Sequence, residues 1–255
     1  MNGSDRFYVP LRLTPSADGI FLRSLNGADE LSIEAANTKT LVALLDSLIQ
    51  GGSPDNKIHA AQIVTADRDR LLAMLYMSLY GSIVESTINC MFCHQKFDLD
   101  FSLDELLRHY QPLSIEVPEN GLYTLEPGIS FRLPTGEDEM LISAALRDEQ
   151  EKLLLERCLV EGNPGSDNEK VQLKMAEMAP VLSMEMEAVC PECNHSQPVH
   201  FDIQSYFLTK LMQERPLLIK EIHLLALQYH WSYQEIMQLP RKLRKQFAAM
   251  IQSEN

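Results

Sequence analysis

The sequence predicts an α+β protein: two copies of a strand–turn–strand–helix unit, an α/β segment inserted between them, and an all-helical C-terminal tail. Three observations predict this class. Two Cys-x-x-Cys pairs lie one hundred positions apart, at Cys90 and Cys93 and at Cys190 and Cys193. Segments with alternating apolar residues flank both pairs, which is the pattern of half-buried strands. In residues 209–255 the apolar residues recur at helical spacing instead.

The four paired cysteines have the chemistry of a metal site. In a cytosolic chain such pairs bind a metal more often than they form disulfides. Two residues between cysteines let a tight turn direct both sulfurs to one point, and two such turns supply the tetrahedral four-thiolate shell that Zn²⁺ favours. A thioredoxin-like redox pair is the alternative, but it needs a single motif at the start of a helix. We therefore predict one structural Zn²⁺ bound by Cys90, Cys93, Cys190 and Cys193, with no catalytic residues.

An internal repeat supports a single shared site. Residues 81–107 read GSIVESTINCMFCHQKFDLDFSLDELL, and residues 181–208 read VLSMEMEAVCPECNHSQPVHFDIQSYFL. Each copy predicts a strand, a Cys-x-x-Cys knuckle, a second strand and a helix, so the two copies form half zinc-ribbons around one ion. His94 and His195 adjoin the knuckles and are predicted to be surface turn residues, because the four cysteines already complete the shell.

The same reasoning divides the chain into five segments. They are an N-terminal strand and helix segment (1–60), the first half-ribbon with flanking helices (61–107), an insertion (108–180), the second half-ribbon (181–208) and a helical C-terminal module (209–255). Within them we predict strands at 6–13, 20–24, 113–117, 122–126 and 129–133, and helices at 38–50, 65–80 and 241–251. Cys158 lies on a predicted apolar helical stripe and is expected to be buried rather than nucleophilic.

Composition excludes several functional classes. The 255 residues include 22 Lys and Arg against 36 Asp and Glu, a net charge of −14. No apolar run approaches the roughly 18 residues of a membrane helix, and the N-terminus lacks the pattern of a signal peptide, which indicates the cytosol. The acidity disfavours a general nucleic-acid binder. Residues 205–255 carry seven bases and four acids, so a zinc-ribbon nucleic-acid-binding or transcription-related protein using this basic tail remains an alternative.

Several stretches resemble a known family. These are residues 74–107, the RLPTGEDEMLISA segment beginning at Arg132, LLERCL, VCPECNHSQPVHFDI, and the closing EIHLLALQYHWSYQEIMQLPRKLRKQFAAMI. They are similar to a zinc-containing protein encoded with phage-tail-like contractile injection systems, which is related to the baseplate hub assembly chaperones of contractile-tailed phages. The resemblance covers roughly Leu71 to Ile251 and does not extend over residues 1–60. Relatives more often have proline where this chain has Met91.

The resemblance implies a non-enzymatic role, as an assembly factor or a structural component of a baseplate. It implies baseplate or tail proteins as partners in the bacterial cytoplasm, and it allows retention of the chain in the finished particle. Together with the composition, which disfavours membrane and nucleic-acid partners, it leaves no small-molecule substrate. The aromatic residues Tyr229, Trp231 and Tyr233 are candidate partner contacts, because aromatic side chains anchor interfaces. Burial of these side chains within the helical tail is the alternative interpretation.

Overall fold

A computed structural model of the chain describes residues 6–15, 17–50, 58–112 and 116–253. These residues form a mixture of helices and antiparallel strands with a helical C-terminal region, as predicted. The chain divides into two compact units. One comprises Met1–Leu11, Ala17–Gln62 and Gln204–Asn255, and the other comprises Arg12–Ser16 and Ile63–Ile203. The five predicted segment boundaries stay predictions, except that the insertion is corrected below.

The elements occur in a repeated order. The first set is β1 (Arg6–Pro10), β2 (Gly19–Arg23), α1 (Gly27–Ser32), α2 (Thr38–Leu48), β3 (Ile49–Gln50), α3 (Thr65–Tyr80), β4 (Ile83–Asn89), β5 (Lys96–Ser102) and α4 (Leu103–His109). The second set is β6 (Leu122–Glu126), β7 (Ile129–Arg132), α5 (Gly136–Ile142), α6 (Arg147–Cys158), β8 (Leu159–Glu161), α7 (Asn168–Met178), β9 (Ser183–Val189), β10 (Ser196–Asp202) and α8 (Ile203–Gln213). The tail adds α9 (Arg215–Tyr229), α10 (Tyr233–Gln238) and α11 (Arg241–Ser253).

Sheet topology repeats with the element order. The antiparallel sheets are β1-β2-β3 and β6-β7-β8, and the two hairpins are β4-β5 and β9-β10. The interpretation of residues 108–180 as an insertion is therefore wrong, because β6 to α7 are the counterparts of β1 to α3. The sequence hides this repeat because the connections differ. Residues 11–18 join β1 to β2, whereas only Pro127 and Gly128 join β6 to β7.

The predicted elements are mostly present with shifted ends. The strand expected at 6–13 ends at Pro10, and the helix expected at 38–50 ends at Leu48, where the chain pairs with β2. Helix α3 has the predicted bounds. The strand predicted at 113–117 includes 113–115, which lie outside the described residues. Shifts of this size are expected, because hydrophobic periodicity locates an element better than its ends.

Each three-stranded sheet leads into a helix through one sequence pattern, Arg-x-x-Asn/Thr-Gly-x-Asp-Glu, at residues 23–30 and 132–139. The Arg23 guanidinium donates two hydrogen bonds to Asp29, of 2.6 and 2.8 Å, and Arg132 donates two of 2.6 Å to Asp138. Both aspartates also accept the backbone N–H of the N-cap residue, which closes the start of α1 and of α5. We call the sheets with their two helices the first module (β1 to β3) and the second module (β6 to β8).

Each module also binds the start of a further helix. In the first module, the Leu25 carbonyl accepts the Arg241 N–H at 2.7 Å, Asn26 pairs with Pro240, and Glu30 accepts a hydrogen bond from the buried Arg244 at 2.6 Å. We call Leu25, Asn26 and Glu30 the first dock. It holds α11, and all of these contacts lie within one compact unit.

The second module makes the equivalent contacts with α3. The Pro134 carbonyl accepts the Thr65 N–H at 2.9 Å, Thr135 pairs with Val64, and Glu139 accepts a hydrogen bond of 3.0 Å from the buried Arg68. We call Pro134, Thr135 and Glu139 the second dock. In both docks an arginine three residues after the first helical residue reaches the glutamate that follows the capping aspartate.

Candidate metal centre

The four paired cysteines converge on one point. The Sγ atoms of Cys90 and Cys193 are 3.6 Å apart, and those of Cys93 and Cys190 are 3.7 Å apart. All four sulfurs lie within 4.8 Å of one another. The predicted grouping of two distant pairs is thus present, and the four cysteines could hold one metal ion.

Each pair sits on a knuckle that its hairpin builds from backbone hydrogen bonds. In the first, the Cys90 N–H donates to the Gln95 carbonyl at 2.9 Å and the His94 N–H donates to the Cys90 carbonyl at 3.0 Å. The second knuckle repeats both bonds at 2.9 Å, between Cys190 and residues 194 and 195. The chain turns through left-handed backbone after the second cysteine, with φ of 61° at His94 and 56° at Asn194. These turns direct both sulfurs of each pair to the same side.

Backbone donors favour ionisation of the first thiol. The Cys93 N–H donates to the Cys90 sulfur, and with the Phe92 N–H it lowers the pKa of Cys90 to about 6. Cys193 behaves differently. The His195 N–H favours its thiolate, but burial and the three neighbouring sulfurs outweigh that bond and raise the pKa of Cys193 to about 12. Four thiolates at this spacing would repel one another, and a bound cation would remove that repulsion.

An apolar shell surrounds the sulfurs. Cys90 and Cys190 are fully buried, and they pack with Phe97 and Ala188 from the inward faces of the two hairpins. Further along the hairpins, Phe101 and Phe201 meet edge to face at 4.9 Å. The duplicated hairpins thus form one core around the cysteines.

The two histidines next to the knuckles are exposed, as expected of turn residues. Among the described residues, the cluster able to hold a metal at this point contains only the four cysteines. The His195 ring stacks on Phe92, with centroids 5.2 Å apart. Cys158 lies apart from the cluster and is fully buried as predicted, and burial raises its pKa to about 12. It is therefore a poor nucleophile.

The candidate partner residues of the tail have different environments. Tyr229 and Trp231 are half-buried, and their rings stack at 5.0 Å while both contact Phe247. Tyr233 is 56% exposed. A role in binding a partner stays a prediction for all three, and Tyr233 is the one whose side chain is accessible.

The basic tail has less free positive charge than its sequence indicates. Arg241 and Arg244 are 3% and 0% exposed, and they form ion pairs with Glu30, Glu214 and Glu221. A guanidinium buried against carboxylates is not available to phosphate groups. The alternative of a nucleic-acid-binding protein therefore has no support in this tail.

Comparison with known proteins gives a family. A family described as T4 bacteriophage base plate protein matches residues 11–208. The chain belongs to this family. The match begins well before the Leu71 at which the resemblance was expected to start, and it ends before α9, so the tail motif lies beyond it. No curated protein and no solved structure matches the chain significantly.

Membership in the base plate protein family indicates a structural or assembly role associated with a phage baseplate. The matched residues include the first module from β2 onward, the whole second module and all four cysteines. No described helix has both the length and the apolar character needed to cross a membrane.

Sequence reasoning missed the arginine–aspartate pattern of the two modules. The signal was present, because residues 23–30 and 132–139 share an arginine, a glycine and an Asp-Glu pair at the same spacing. It also missed Gln197, a polar residue on the inward face of β10 that is only 5% exposed.

Proposed function

We propose that the four cysteines bind one structural Zn²⁺, which closes two half zinc-ribbons into a rigid body. The chain then acts, without catalysis, as an assembly factor or structural component of the baseplate of a phage-tail-like contractile injection system. The observation that carries the zinc is the sulfur geometry. Zinc–thiolate bonds of about 2.3 Å in a tetrahedron place the sulfurs about 3.8 Å apart, close to the 3.6 Å between Cys90 and Cys193 and the 3.7 Å between Cys93 and Cys190.

The donor set also favours a structural ion over a catalytic one. Catalytic zinc sites keep a position for water, whereas four thiolates fill the tetrahedron. Packing with Phe97 and Ala188 limits the access of water to Cys90 and Cys190, which are fully buried. Because the ligands come from hairpins 97 to 103 positions apart, binding would hold together distant parts of the chain and stabilise the folded state.

Metal analysis of the purified full-length chain tests the zinc. We expect one zinc per chain, and a cobalt-substituted sample with the absorption of four thiolates. Cys90→Ser should lose the metal and melt at a lower temperature, because a missing ligand disrupts the shared shell. The matched control is Cys158→Ala, which changes a buried cysteine outside the cluster and should retain one zinc. Two ions per chain, or an unchanged melting temperature in Cys90→Ser, would contradict the proposal.

The proposed assembly role is supported by the family and by Tyr233, an exposed aromatic residue of the helical tail. We expect the chain to copurify with baseplate or tail proteins from the bacterial cytoplasm, and its deletion to stop particle formation. Analysis of purified particles would distinguish an assembly chaperone from a permanent component. Tyr233→Ala should weaken copurification, whereas Gln234→Ala, an exposed neighbour on α10, should leave it unchanged. Normal particles from the deletion strain would refute this role.

A further inference from the structure

One polar side chain of the second hairpin bonds to the knuckle of the first. Gln197 lies on β10, and its Oε1 accepts the Met91 N–H at 2.7 Å. Its Nε2 donates to the Asn89 carbonyl at 3.1 Å. Asn89 and Met91 flank Cys90, so a single side chain holds the backbone on both sides of a cysteine. These bonds cross between hairpins 106 and 108 positions apart.

The repeat explains why only one knuckle has this arrangement. One hundred positions before Gln197 lies Phe97, which is 7% exposed and packs in the core around the cysteines. One hundred positions after Met91 lies Pro191. Proline has no backbone N–H and fixes its own φ. The second knuckle therefore needs no acceptor at that position, whereas the first presents an N–H that must be satisfied.

The two residue pairs are thus alternatives for the same structural task. Proline in the knuckle is combined with an apolar residue on the opposite hairpin, and methionine is combined with glutamine. Met91 itself is 69% exposed, so packing of its side chain does not fix the turn. The hydrogen bonds from Gln197 do so instead.

We infer that Gln197 is a positioning residue of the metal site, which orients Cys90 from the opposite hairpin and thereby slows release of the ion. This inference rests on the proposed zinc site. Partners that orient metal ligands from outside the coordination shell commonly change metal affinity by about 10- to 100-fold when removed.

A double-mutant cycle on the full-length chain tests the inference. The variants are Gln197→Met, which keeps the side-chain volume but loses both hydrogen bonds, Met91→Pro, and the two combined. The measurement is the rate of zinc transfer to a chromogenic chelator. We expect about 10-fold faster release from Gln197→Met, a rate near that of the parent in Met91→Pro, and recovery of most of the loss in the double variant. Recovery occurs because proline removes the N–H that Gln197 satisfies.

The matched control is Ser196→Ala, which removes an exposed hydrogen bond to Glu187 next to Gln197 on β10 and should leave both the first knuckle's hydrogen bonds and the zinc release rate unchanged. A second measurement needs no variant. The Met91 amide should exchange its hydrogen slowly in the zinc-loaded parent, despite the exposed side chain. A parental release rate in Gln197→Met, no recovery in the double variant, or rapid exchange at Met91 would overturn the role of Gln197. If the parent itself holds no zinc, the proposed site fails as well, so the two failures are distinguishable.

Discussion

Helices α11 and α3 bind the two modules through the same backbone and side-chain contacts, yet their surroundings differ. In the first dock, Glu30 is bonded to Arg244 and Arg241, and Arg244 also bonds Glu221 at 2.8 Å. In the second dock, Glu139 is bonded to Arg68 and to the Thr65 hydroxyl, and its side chain is 22% exposed. The contact geometry therefore belongs to the module, whereas the helix that it holds supplies the charge balance.

Chain connectivity is the second difference. Helix α3 continues into the first hairpin, so the chain holds it at both ends. Helix α11 instead follows another helix, α10, after a short connection. The denser ion-pair network thus belongs to the dock of a helix that follows a helix, and the sparser one to the dock of a helix that leads into a hairpin. The predictions below test this contrast, from the largest expected effect to the smallest.

Removing the buried arginines should have the largest effect. Arg244→Met leaves Glu221 and Glu30 buried without this cation, and losing one partner of a buried ion pair costs about 3–5 kcal/mol. Arg68→Met should cost less, about 2 kcal/mol, because water can reach Glu139 and Thr65 still donates to it. Urea denaturation of both variants would measure the free energy of unfolding.

The control for this pair is Lys242→Met, an exposed change on α11 that should stay within about 0.5 kcal/mol of the parent. Equal losses for the two arginine variants would show that the extra acids around the first dock add nothing.

The residue that follows Arg68 or Arg244 should give the two docks a different dependence of stability on pH. Burial raises the pKa of Asp69 to about 7, against the attraction of Arg68 and a hydrogen bond from the Leu182 N–H. The equivalent residue on α11 is Lys245, which pairs with Glu214. In the unfolded chain, an aspartate carboxyl has a pKa of about 3.9. The folded state therefore retains the proton up to a higher pH than the unfolded state. As a result, Asp69 lowers the free energy of unfolding as pH rises from about 4 to about 7.

Asp69→Asn should remove this pH dependence, because an amide does not titrate, and its oxygen can still accept the Leu182 N–H. We expect a gain of up to about 4 kcal/mol in the free energy of unfolding at pH 8, because the folded pKa lies about 3 above the unfolded one, and almost none at pH 4. Denaturation curves at both pH values would measure it. The same gain at both would indicate that the carboxyl does not titrate with folding.

Substitution of the two N-cap residues, Asn26 and Thr135, should give the smallest difference in stability between the two modules. The Asn26 side chain accepts the Asp29 N–H at 3.0 Å, so Asn26→Ala removes a helix cap and should cost about 1 kcal/mol. The Thr135 hydroxyl instead donates to Asp138, which keeps bonds from Arg132 and Arg157. Thr135→Ala should therefore cost less, about 0.5 kcal/mol. Thermal melts would resolve the order, and a larger loss for Thr135→Ala would reverse this account of the caps.

The cysteine cluster was predictable, whereas its supporting residues were harder to find. Cys-x-x-Cys spacing and matching flanks are local signals, so Cys90 and Cys190 could be paired without a structure. Gln197 carried a weaker signal. Strand alternation places it on the inward face with Val199 and Phe201, where a polar residue is unusual. Its partner could not be named, because the Met91 N–H is a backbone group that every non-proline residue possesses.

The second module shows where pattern reasoning failed. Residues 108–180 were expected to be an insertion because the knuckles dominate the repeat signal. The Arg-x-x-Asn/Thr-Gly-x-Asp-Glu pattern retains only the residues that close a helix start, while the remainder of each module has diverged. Packing tolerates such change if volume and polarity are kept. The shared element order therefore survives where little sequence identity does.

The sequence by itself determined the four clustered cysteines, the paired hairpins and the helical tail, because turn spacing and hydrophobic periodicity act over a few residues. Only the tertiary structure decided which helix each module holds. Glu30 can pair with any buried arginine, and its actual partners, Arg241 and Arg244, lie 211 and 214 positions away. Such a choice depends on which packing satisfies every buried charge at once, and no local pattern contains that information.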